Sequence, residues 1–262
     1  MKWLVLVFIW GCSADHYASK GKFALDEHKL ADAEKNYRAG LGREPNHTPS
    51  LSGLGWVYLL AGQHDAASAA FGHCLDVAPK EVECLRGSAG VASAKGNPVL
   101  AKKHLDKAVS ISPHHAGVQS SLALLELAAG EVEAAIGRYR TLVEREPERA
   151  EYRLGLAEAL IRAKRYEDSL REVEVGLGLD NGPNRTRAVL FQAQGRAMVA
   201  AASRRLDPDD CDGSAEPVLA WLTAAEEAVK LAEAMAVELP DLPVVKRRVR
   251  RQRARVAEHC PK

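Results

Sequence analysis

Prolines stand at positions 45, 79, 113 and 147, each 34 residues after the one before. Ala33, Ala67, Ala101 and Ala135 keep the same interval, and so do Gly62, Gly96 and Gly130. Three residue types sharing one period mark a repeat array, in which each unit is a helical hairpin stacked on the next. The predicted fold class is therefore all-α, a solenoid of hairpins.

Residues 48–81 form one complete unit. In its first half Leu51, Leu54, Gly55 and Tyr58 recur at intervals of three and four, the amphipathic helix signature. Gly62 ends that helix, where a residue able to turn left-handed is favoured. The second half sets Ala67, Phe71, Cys74 and Leu75 on one face, and Pro79 stops it. Small residues at 55 and 67 let the two helices approach, while Tyr58 and Phe71 fill the space around them.

These residues resemble the tetratricopeptide repeat family, whose W-L-G-Y…A…F…A…P pattern falls here on Leu51, Leu54, Gly55, Tyr58, Ala67, Phe71, Cys74 and Pro79. Looser copies follow the same register. Residues 14–47 offer Tyr17, Gly21, Ala33, Tyr37 and Pro45; residues 82–115 offer Leu85, Ala89, Ala101, Leu105, Ala108 and Pro113. Residues 116–149 offer Leu122, Ala123, Ala135, Tyr139 and Pro147. A fifth unit, from Ala150, keeps Leu156, Ala157, Leu160 and Tyr166, with Ser169 at the small-residue position. The resemblance implies a right-handed superhelical solenoid. Residues 13–183 would form its five repeats and 184–239 a sixth, stretched hairpin with an acidic loop over 206–215 and a second helix over about 216–238. Pro240 and Pro243 would end that hairpin, leaving 240–262 as a basic capping helix and tail.

Net charge is +1, yet the residues from Pro240 onward carry +6 and the rest −5. The excess lies in Lys246, Arg247, Arg248, Arg250, Arg251, Arg253 and Arg255. Leu242, Val245, Val249 and Val256 share a stripe of the same helix, which reads as a cap on the last unit with arginines turned to solvent. Such arginines could also meet anionic lipid headgroups or an acidic partner. No aromatic residues are interleaved for base stacking, so nucleic acid is not an expected partner.

Residues 1–12 read as an export signal: Met1-Lys2, then Trp3 to Trp10 without charge, then Gly11-Cys12. Eight apolar residues reach only about 12 Å as a helix, too short to span a bilayer. Gly11-Cys12 resembles the bacterial lipoprotein box, which implies a lipid on Cys12 and a periplasm-facing place in the cell envelope; without that processing the chain would be a cytosolic scaffold. The other four cysteines make an even set. An antiparallel final helix would return Cys260 beside Cys211, the predicted disulfide. Cys74 and Cys84 belong to facing helices of adjacent units, where either a bond or buried thiols fit.

No G-x-S-x-G, Gly-rich phosphate loop or H-E-x-x-H spacing is present, so no catalysis, metal or cofactor is expected, and the nine histidines read as surface residues. Within the family the first helix of each hairpin lines the concave face. The resemblance places Trp56, Leu59, Ser93, Leu124, Leu127, Glu158 and Ile161 there, an apolar groove with Trp56 exposed, suited to an amphipathic helix or extended apolar segment of a partner protein. The lysines and asparagines of the family's carboxylate clamp are absent from these positions. A lipidated N-terminus before about six such repeats is similar to the pilotin lipoproteins of type IV pilus secretins, which implies a role in assembling or localising an envelope complex.

Overall fold

A computed structural model describes residues 13–179, 184–205, 211–235 and 239–260. The first five hairpins pair α1 (Ala14–Asp26) with α2 (Leu30–Arg43), α3 (Thr48–Leu60) with α4 (His64–Val77), α5 (Val82–Ala94) with α6 (Pro98–Ile111), α7 (Ala116–Ala129) with α8 (Val132–Arg145), and α9 (Ala150–Arg162) with α10 (Tyr166–Gly178). Three longer helices follow: α11 (Asn184–Arg205), α12 (Cys211–Ala234) and α13 (Leu242–His259). The described residues contain no strand. The chain divides into two compact units, residues 1–121 and 122–262. Within each, the first helices of successive hairpins also touch: α1 with α3, α3 with α5, and α9 with α11.

The joints between hairpins follow from proline. Glu44, Ala78, Ser112 and Glu146 each precede one, and all four leave the helix with φ between −140° and −133°. The proline ring disfavours helical backbone in the residue before it. The N–H of His47, Glu81, His115 and Arg149 then donates to the carbonyl of those same four residues at 3.0–3.2 Å, closing a turn with proline in its second place.

Inside each hairpin the joint is a left-handed residue. Gly62, Gly96 and Gly130 have φ of 73°, 74° and 85°. The following N–H reaches back five residues, as from Gln63 to the Tyr58 carbonyl at 2.8 Å, satisfying carbonyls the helix end would leave open. The same register continues at His28 (φ 58°) and Lys164 (φ 60°), where no glycine marks it. These side chains bear a steric cost that glycine avoids, on the order of 1 kcal/mol each.

Aromatic rings key one hairpin to the next. A Cβ on Gly21 or Gly53 would lie 2.8 or 2.1 Å from the Tyr37 ring, and on Gly55 or Gly87, 2.6 or 2.1 Å from Phe71. Tyr139 meets Gly155 in the same way, at 2.2 Å. Where the plug shrinks to Leu105, the residue equivalent to Gly53, Gly87 and Gly155 is Ser121. Tyr37 is 3% exposed, and burial, helped by the Asp26 charge, pushes its phenol up to about 12. In the fifth hairpin Ser169 is fully buried at the alanine position, its hydroxyl donating to the Ala157 carbonyl at 3.0 Å.

The last three helices pack along continuous apolar stripes. Val199, Ala202, Val218, Leu222, Ala225, Val249 and Val256 form one cluster; Ala188, Val229, Ala232, Leu242 and Val245 belong to a second. Two boundaries differ from expectation. Helix α12 begins at Cys211, inside the segment read as a loop, and carries Pro217 within it. Buried Val218 and Leu222 draw this turn into the helix, and packing offsets the bond that Pro217 cannot make. Pro243 does not end the preceding hairpin but stands in the first turn of α13, where a missing N–H costs nothing.

Candidate functional site

In the first unit, the first-helix face is built around Trp56, and it is not the open apolar surface expected. Trp56 is half-buried, edge-on to Phe71 with centroids 5.5 Å apart, and the Arg86 guanidinium lies 4.0 Å over its ring. A guanidinium over an indole is worth about 0.5–2 kcal/mol. Glycine makes this packing possible: a Cβ on Gly90 would meet Leu59 at 2.9 Å and Trp56 at 3.8 Å. Arg86 is held from behind by Glu83, its Nε donating to both carboxylate oxygens at 3.0 and 3.1 Å. Glu83 also faces His115 Nε2 at 3.4 Å, while His115 Nδ1 accepts the Val118 N–H at 3.3 Å. The backbone donor leaves Nδ1 bare, so the proton sits on Nε2, toward the carboxylate. Leu59 is half-buried, Ser93 is exposed, and Leu60, which the sequence reading passed over, is 52% exposed.

In the second unit, the corresponding face is again charged. Glu158 pairs with Arg196 at 2.7 Å, Arg138 donates to Glu126 at 2.6 Å, and Arg162 donates to the Leu127 carbonyl at 3.4 Å. Leu127 is only 5% exposed, so it belongs to the core rather than to a groove. Ile161 is half-buried. Leu124, at 57%, stands open.

One arrangement has the connectivity of a hydrolytic triad. His47 Nε2 lies 3.0 Å from Asp15 Oδ1 and Nδ1 lies 2.9 Å from Ser50 Oγ. Asp15 is exposed, but Ser50 has no accessible surface, and a Cβ on Gly40 would come within 2.4 Å of its hydroxyl. A nucleophile sealed against the backbone of α2 cannot meet a substrate, so the trio acts as a pin between α1 and α3. His47, 7% exposed, also departs from the expectation of surface histidines.

Cys74 and Cys84 form a disulfide between α4 and α5, fully buried in a cluster with Leu51, Phe71 and Val91. The cross-link closes a short loop, worth about 3 kcal/mol in the chain-entropy model. Cys260 is also disulfide-bonded. The Cys211 side chain predicted to pair with it lies outside the described residues, as do Cys12 and residues 206–210 of the acidic segment.

On α13, Leu242, Val245, Val249 and Val256 are all buried. The cations at the edge of that stripe are neutralised by α12: Lys246 by Glu233 at 2.7 Å, and Arg253 by Glu226 at 2.8 Å. Arg247, Arg248, Arg250, Arg251 and Arg255 are exposed.

A sequence profile described as tetratricopeptide repeat matches residues 19–72 and 121–183. The fold is similar to a tetratricopeptide repeat protein from Parabacteroides merdae, at 15% identity and TM-score 0.65, covering 90% of this chain and 84% of that one. Over residues 19–72 and 121–183 the chain carries tetratricopeptide repeats. Cut9, crystallised with Hcn1 as an APC/C hetero-tetramer, matches at 14% identity and TM-score 0.68 over 90% of this chain but 43% of its own. A structure from the functional characterisation of Pseudomonas aeruginosa pilF matches at 16% identity and TM-score 0.51, over 72% of this chain and 87% of that one. No curated protein matches the sequence significantly.

Tetratricopeptide repeat arrays are protein-interaction scaffolds, and their register explains what motif reading missed here. Gly90 occupies the same place in its hairpin as Trp56, Leu124 and Glu158, so a gap beside the tryptophan was already written in the period. Glu83 and Arg86 are three residues apart on one helix, a spacing that brings opposite charges together. Arg196 carried no such sign, because α11 lies beyond the regular repeats.

Proposed function

We propose that this protein is a non-catalytic scaffold, lipid-anchored in a bacterial cell envelope, that holds a partner protein against the first-helix faces of its repeats. The observation that carries the reading is the exposure of Leu60 and of Leu124, 52% and 57%, each on the first helix of its own hairpin. Large apolar side chains left open on a helix face suit a partner segment that is apolar on one side, an amphipathic helix or extended apolar segment. The setting proposed is assembly or localisation of an envelope complex such as a pilus or secretion secretin. The Gly11-Cys12 pair supports the anchor. The buried Cys74–Cys84 bond supports an oxidising compartment, since reducing compartments keep thiols unpaired.

Two measurements test this. Mass spectrometry of the mature protein should find an acylated Cys12 at its N-terminus, and Cys12→Ser should release it from membranes; an intact Met1 would make it a cytosolic scaffold instead. Crosslinking in envelope extracts should recover a partner with the wild type and lose it with Leu60→Ser/Leu124→Ser. Equal recovery from both would sink the groove reading. Leu127→Ala is unsuitable because it opens the core.

A further inference from the structure

Arg247, Arg248, Arg250 and Arg251 of α13 carry positive charge with no ion pair among the described residues, and they have a definite geometry. Arg247 and Arg251 are four residues apart and so lie in line along the helix; Arg248 and Arg250 flank them. All are exposed, and among the described residues no ion pair engages Arg247, Arg248, Arg250 or Arg251. Like charges four apart on a helix repel. The contrast with the inner edge is sharp. Lys246 and Arg253, which face α12, each receive a glutamate.

We propose that this face of α13 docks on an anionic phospholipid bilayer. Three observations select that partner. The row is convex and has no concavity that converges on a single phosphate. The nearby pocket of about 290 Å³ between α12 and α13 is lined by Glu226 and Glu233 together with Lys230, Lys246 and Arg250, so its two carboxylates offset most of its positive charge and repel a bound phosphate. The outward face also lacks an anchor for a protein interface, because its apolar members are Val244, at 36% exposure, and the small Ala254 and Ala257. A protein interface draws its energy from buried aromatic or aliphatic anchors, whereas a lipid surface requires only charge spread over an area. Arginine suits this surface, since its planar fork binds phosphate with two parallel hydrogen bonds and stays charged at every accessible pH. The same surface offers no ring for stacking on bases.

The inference does not rest on the lipid anchor, and the test uses the full chain carrying Cys12→Ser so that no acyl group contributes. Its partition onto vesicles containing about one-third phosphatidylglycerol in phosphatidylcholine is measured by sedimentation, with pure phosphatidylcholine vesicles as reference. Binding should appear only with the anionic lipid and fall steeply as salt rises to about 0.5 M. Each arginine should contribute about fivefold. Replacing Arg247, Arg248, Arg250 and Arg251 with Gln should therefore weaken binding about 100-fold or more with helicity unchanged, while Lys246→Gln should change it less than about threefold. If the quadruple variant fails to fold, Arg251→Glu alone should give about a 25-fold loss. Equal binding to both vesicle types, retention by the quadruple variant, or complete displacement by duplex DNA at equal phosphate would each overturn the assignment.

Discussion

The five regular hairpins and the three closing helices are built by different rules. From α1 to α10 every helix is 13 or 14 residues long, and its ends are set by backbone chemistry repeated each 34 residues: proline outside, a left-handed residue inside. From α11 to α13 the helices run to 22, 24 and 18 residues, the punctuation stops, and long apolar stripes hold them together. A repeat tolerates substitution wherever its joints and ring sockets survive. The closing helices have no comparable joints, so their stability rests on the buried seam beneath α13.

Five substitutions break or sharpen this contrast. The largest effect is expected at the seam. Val249→Asp places a charge at a site 1% exposed, and should cost at least 4 kcal/mol, seen as early loss of the closing helices in hydrogen exchange while α1 to α6 keep their protection. Next is Gly87→Ala, whose Cβ would strike the Phe71 ring; about 2–3 kcal/mol should be lost in urea unfolding. Adding Phe71→Leu, which copies the Leu105–Ser121 combination, should return part of that loss, whereas additive losses would refute the plug-and-socket account. Lys164→Gly should stabilise by about 1 kcal/mol, because the residue is already left-handed at φ 60°. The smallest effect concerns His104. Burial, with Lys103 and Lys107 close by, holds its imidazole below the usual range. Its unfolded form therefore binds a proton first, so its stabilising contribution is complete above about pH 6.5 and declines as pH falls below that. His104→Gln should flatten the stability profile there.

The period made the joints of the repeats legible before any coordinates, because proline and glycine act through the backbone alone. It did not reveal His28 and Lys164, since their left-handed conformation is imposed by the helices on either side. Ser169 looked like a flaw in the pattern until its hydroxyl found the Ala157 carbonyl. The start of α12 was hidden because Asp212, Gly213 and Pro217 carry turn signals that the packing of Val218 and Leu222 overrides. On the candidate face, Trp56 was visible as a residue but not as a covered one. Its cover, Arg86, comes from the next hairpin, and which side chain stacks on which is decided by tertiary geometry. Leu60 and Leu124 are told apart from buried Leu127 only by exposure, which one sequence does not encode.

The Cys74–Cys84 bond spans the hinge between the second and third hairpins. Pulled by its ends, such a stack would lengthen like a spring with one coil soldered. The nine residues between the two cysteines would stay out of the extended thread until a reductant freed about 30 Å of additional length.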